Sequence, residues 1–250
     1  MNKKKKLFGS IFVCCCIMLL AVTVLFSNNE SLYAKTITEV EKVTMEINKN
    51  INEMASSKNP KSYSSSPYVI VEGDEAYEKL VNLGVVAIKP LYDKIANSSE
   101  NGLMEYIYAM AIEEIMQQNY SYASSLSIVM EKPEYDYGWA SAKEFEQAFS
   151  KFMKKIPSEY NSIMNDTSLT DIEKNAKVRE LGLGVVPYII SDIQNNKKSN
   201  FDYENMLVTI LSERNQIEKV NSLSMSTKFD VNSWISANSE SYELLKKLSE

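Results

Sequence analysis

The chain has 250 residues, 44% of them apolar and 24% charged, and a formal net charge of −6. This balance belongs to a globular protein of one large or two small domains, and 7 Gly and 6 Pro are too few for an all-β chain that turns every ten residues or so. The sequence has no His, which removes the Ser-His-Asp and Cys-His arrangements and the His-bearing zinc sites, and its negative charge disfavours nucleic acid as a partner.

Lys3, Lys4, Lys5 and Lys6 precede an apolar run, Leu7–Phe26. Twenty residues suit either the hydrophobic region of an export signal or a helix that spans a bilayer once. In both cases the lysines hold the N-terminus in the cytoplasm and place the rest outside. Residues 1–34 are therefore expected to be a signal anchor, giving a single-pass protein at the cell membrane, or a signal peptide cut near Ala34, giving a secreted one. Cys14, Cys15 and Cys16 all fall inside the run, so no disulfide staples the exported part. Removing residues 1–34 takes away four Lys and one Glu and leaves 23 basic against 32 acidic residues, a net charge of −9.

Ile37, Val40, Val43, Ile47, Ile51 and Met54 recur three and four residues apart and predict an amphipathic helix over 35–56, either packed on the domain or forming a stalk or coiled-coil seam. Residues 57–73 are Ser- and Pro-rich at first and read as a loop, with Pro67–Val71 as an extended lead-in. A helical domain over 74–226 follows. Its first unit, 74–119, begins at Asp74, which caps a helix over 75–83. Gly84 ends that helix, a second runs over 85–95 with Pro90 early in it, and a broadly apolar third covers 102–118.

An insert, 120–169, is aromatic and irregular to Trp139. It then turns helical behind a Ser141/Glu144 capping box, and Pro157 is expected to break that helix before a short one resumes. The second unit, 170–213, opens on the Thr170/Glu173 box and repeats the plan of the first. A tail, 227–250, ends in a helix over 239–248, and another short helix is expected near 216–223.

The two units are copies. Lys79–Ile95 aligns with Lys177–Ile193 without a gap at an offset of 98, pairing Leu83-Gly84 with Leu181-Gly182, Ile88 with Val186 and Ile95 with Ile193. The Leu-Gly turn, the apolar pair (Ala87-Ile88 in one copy, Val185-Val186 in the other) and Pro90 or Pro187 resemble the HEAT-like and armadillo-like α-helical repeats. The stretch from Asn59 to Ile193 is similar to a group of uncharacterised exported proteins of Gram-positive bacteria. The expected fold class is thus all-α: HEAT-like duplicated helical units, as an α-α superhelix or a compact helical domain, behind an N-terminal membrane segment.

Catalytic signals are few. No Lys has Ser three residues before it, and no Gly-rich phosphate loop is present. Glu113 and Glu114, with Glu105, are the carboxylates to weigh for acid/base work, but helical neighbours point about 100° apart and read as a solvated face. Asp166, Asp171 and Glu173 flank a turn, and capping accounts for two of them. No metal and no cofactor is expected. The loop 132–139 sets Tyr135, Tyr137 and Trp139 among Glu134 and Asp136, which suits either a binding platform or packing. The reading that follows is a non-enzymatic module binding a protein or peptide of the cell envelope. A carboxylate-dependent cell-wall hydrolase and an immunity or inhibitor protein are the alternatives.

Overall fold

A computed structural model describes residues 32–57, 60–64, 66–116, 141–195, 201–214, 216 and 229–250. Every regular element among them is helical. The apolar run 7–26, the aromatic loop 132–139 and all but the first residue of the helix expected near 216–223 lie outside the described residues. Among those described, no helix is long and apolar enough to cross a membrane.

Helix α1 (32–56) turns Val40, Val43 and Ile47 into a core shared by all the long helices, so this stripe is a packed face and not a dimer seam. A 3-10 turn, Pro60–Tyr63, and a five-residue helix, α2 (Pro67–Val71), follow. The extended conformation expected for Pro67–Val71 is not formed. Pro67 presets the backbone angle of a first helical residue, and burying Ile70 and Val71 against the domain outweighs their β preference.

The first unit is α3 (Glu75–Asn82), α4 (Val85–Asn97) and α5 (Leu103–Met116). The Asp74 carboxylate accepts the amide hydrogens of Ala76 and Tyr77 at 2.8 and 3.1 Å and so starts α3. Gly84 turns the chain between α3 and α4 at φ 69°, ψ −154°, a region essentially reserved for glycine, and Gly182 repeats the positive φ at 62° in the second copy.

The second unit is α7 (Asp171–Glu180), a 3-10 turn Gly182–Val185, α8 (Val186–Gln194) and α9 (Tyr203–Glu213). The Thr170/Glu173 box is complete. The extra turn explains why the prolines of the two copies are out of step: Pro187 falls in the first turn of α8, whereas Pro90 lies inside α4.

Two helices join the units. The first, α6 (Ala142–Asn165), packs on α4 and α5 and also on α7 and the Gly182–Val185 turn. Its first half belongs to unit one: Phe149 lies 5.9 Å from the Tyr92 ring, and Lys143 donates to the carbonyls of Ile95 and Ala96. Its second half belongs to unit two. The Tyr160 hydroxyl donates to Asp192 at 2.8 Å, and a Cβ on Gly184 would come within 2.2 Å of Ile156 Cδ1, so any larger residue in that turn would push the Ile156 side chain aside. The break expected at Pro157 does not occur. Proline removes one helical hydrogen bond, but Ile156 and Tyr160 are buried on either side of it and hold the helix continuous.

The second joining helix is α10 (Val231–Lys246), which packs on α4 and α8, the corresponding helices of the two units. It starts eight residues before the expected position because Asp230 caps it, accepting from Ser233 N at 3.0 Å. Its Tyr242 is buried beside Trp234, with ring centroids 5.5 Å apart, and the hydroxyl has no hydrogen-bond partner among the described residues. A buried hydroxyl without a partner costs about 1–3 kcal/mol. Tyr242→Phe should therefore leave the thermal unfolding midpoint unchanged or raise it; a fall equivalent to more than about 1 kcal/mol would show that the hydroxyl is satisfied.

Candidate functional site

Five large hydrophobic side chains are exposed among the described residues: Met45, Tyr63, Tyr68, Val69 and Ile172. Three of the five fall within seven residues of one another, which singles out the Pro60–Val71 stretch. Tyr63 is 76% exposed, Tyr68 42% and Val69 38%. The two sides of α2 divide the work: Ile70 and Val71 go inward, and the helix packs on α5, while Tyr68 and Val69 face out.

Local hydrogen bonds hold this surface in place. The Lys61 ammonium donates to the Glu72 carbonyl at 2.6 Å and pairs with the Glu72 carboxylate at 3.3 Å, which ties the 3-10 turn to the far end of α2. Ser64 N donates to the Lys61 carbonyl, and Ser66 N donates to Ser64 Oγ at 3.1 Å. These bonds link the turn that carries Tyr63 to the helix that carries Tyr68.

This surface occupies one end of the first unit. The 25 residues of α1 span about 37 Å. Near the end of α1, Asn50 donates to the Asp74 carboxylate at 3.2 and 3.3 Å, and the adjoining α3 reaches the end of α5 through Tyr77 Oη and Glu114 at 3.0 Å. At the start of α1, Tyr33 donates to Asp93 near the end of α4 at 2.5 Å. Lys89 holds both Asp93 oxygens at 2.7 and 2.6 Å and lies 5.8 Å from the Tyr33 ring centroid. Burial and the neighbouring Asp93 carboxylate raise the Tyr33 phenol above its ordinary range. The Asp74 end of α2 and the start of α1 thus lie at opposite ends of the first unit.

The carboxylates weighed from the sequence do not converge. Glu113 is only 4% exposed, so it is part of the interior and not of a solvated face. Glu114 is exposed and accepts from Tyr77, and Glu105 accepts from Ser98 Oγ and Gly102 N at the start of its own helix. Asp166 accepts from Ser168, and Glu173 from Thr170. These hydrogen bonds hold both carboxyls below their usual range. Among the described residues no three metal-ligating side chains gather. Tyr135, Tyr137 and Trp139 lie outside the described residues.

No protein-family model, curated protein or solved structure matches this chain.

Proposed function

We propose that the chain is a non-enzymatic binding module of HEAT- or armadillo-like helical units, exported and held at the cell membrane by residues 7–26, which takes a protein or peptide of the envelope. The observation that carries this reading is the exposure of Tyr63, Tyr68 and Val69 within seven residues of chain, because large apolar side chains left in water close together mark interaction sites. Its position supports the same reading. Five residues, 27–31, separate Phe26 from α1 and reach at most about 17 Å, so an anchored chain keeps the start of α1 close to the bilayer. The Asp74 end of α2, which follows the tyrosines, lies by Asn50 near the far end of that helix and so farther from the membrane. No arrangement among the described residues favours the hydrolase alternative, since Glu113 and Glu114 face opposite environments.

A photo-crosslinking amino acid at position 68, in cells making the full chain, tests this reading against the same group at position 172. Ile172 is the fitting control because it is 83% exposed and is the one exposed large hydrophobic side chain among the described residues of the second unit. A discrete protein adduct is expected from position 68 and not from 172, in the membrane fraction. No adduct at 68, or the same adducts at both positions, would overturn the binding reading.

A further inference from the structure

We infer that the Tyr63, Tyr68 and Val69 surface takes a basic segment with apolar anchors, a Lys- or Arg-bearing peptide and not an acidic or purely apolar one. This deepens the binding-module reading and rests on it.

The argument comes from what surrounds the rings. Glu72, Asp74, Glu75 and Glu78 follow α2 directly in the chain, and Glu114 of α5 joins them through Tyr77. Glu72, Glu75, Glu78 and Glu114 are all exposed. Among the described residues, the Lys61 ammonium is engaged by Glu72 at 3.3 Å and that of Lys79 by Glu46 of α1 at 3.2 Å. Asp74, Glu75 and Glu78 then leave negative charge in the stretch that directly follows the helix carrying Tyr68, with Glu114 joined to it through Tyr77. Tyrosine faces attract ammonium and guanidinium groups, and carboxylates at the rim attract them further. A chain of net charge −6 steers such a partner from a distance.

The same charges argue against other occupants. A second copy of this chain, related by a two-fold axis through the patch, would bring the same carboxylates face to face. Anionic lipid and nucleic acid would be repelled for the same reason. The neutral, aromatic part of the surface sets where a partner docks, and the rim sets its sign.

Binding of a fluorescein-labelled dodecapeptide of lysines carrying two leucines, measured by anisotropy with the full chain in non-ionic detergent, tests the inference. The comparison peptide replaces each lysine with glutamate. The lysine peptide is expected to bind roughly tenfold or more tightly, with an affinity that falls as salt rises. Tyr63→Ser with Tyr68→Ser should cost about tenfold in affinity, and Glu75→Gln with Glu78→Gln about threefold to tenfold together with a flatter salt dependence. Ile172→Ser should change nothing. All four substituted side chains of the two pairs are exposed or face outward, so unchanged melting curves are expected to show that the variants fold.

Equal binding of the two peptides, or undiminished binding by the tyrosine pair variant, would overturn the inference. If crosslinking from position 68 still yields a partner in that case, only the basic character of the partner is wrong. If it yields none, the binding reading fails as well.

Discussion

Phe149→Ala should lower the unfolding midpoint by roughly 6–20 °C, measured by circular dichroism or calorimetry. Phe149 is 1% exposed, stacks on Phe145 with centroids 5.5 Å apart and planes 15° apart, and touches the Tyr92 ring of α4. Truncating a buried phenylalanine typically costs about 3–5 kcal/mol, and in a domain of this size each kcal/mol moves the midpoint about 2–4 °C. The position matters as much as the size. Because α6 packs on both units, a cavity in its first half loosens the element against which the second unit is also packed. The melt should therefore move as one transition. Two separated transitions, with the second unit melting at its original temperature, would show that α6 does not couple the units.

Much of this architecture can be read from the chain because it depends on local chemistry. Asp74, Thr170 with Glu173, and the glycines of the two Leu-Gly turns each solve a backbone problem within four residues, so the residue type itself announces the geometry. The elements that are not legible depend on contacts made far along the chain. Pro157 reads as a helix breaker because its cost is local, while the burial of Ile156 and Tyr160 that holds α6 through it comes from the second unit. The start of α10 is hidden in a run rich in Ser and Asn, poor helix formers, although Val231, Trp234 and Ile235 carry the spacing.

The candidate site shows the same division. A helix of five residues is too short for its period to be read, and Val69, Ile70 and Val71 favour a strand by type, so α2 is masked by its own composition. Pro67 after Ser66 is the signal that could have revealed it. Glu113 could have been placed from the sequence: Ala109, Met110 and Met116 lie three and four residues away on one face of α5, and that face is the buried one. Its neighbour Glu114 leaves by about 100° and reaches water. The Tyr77–Glu114 bond likewise joins α3 to α5, which sequence spacing alone does not bring together.

Removing residues 229–250 should abolish cooperative folding, a larger loss than any single core truncation and so more than about 5 kcal/mol. The C-terminal helix buries Val231, Ile235, Tyr242, Leu244 and Leu245, with Leu248 just beyond it, and covers α4 and α8 together. A side-chain contact extends the seal at its end, where the Tyr188 and Ser249 hydroxyls lie 2.5 Å apart. Without α10, the corresponding helices of both copies turn their apolar sides to water, and α6, which packs on α4, meets α8 near its end through Tyr160 and Asp192. The shortened chain should bind a hydrophobic dye, lose its sharp thermal transition and become sensitive to protease across both units. A milder variant keeps the test informative if the short chain is lost in cells. Leu245→Ala, at a fully buried position, should cost about 2–5 kcal/mol while preserving a single transition. If the truncated protein still melts sharply near the original temperature, α10 is an appendage. The duplicated units would then have to hold each other through α6 alone.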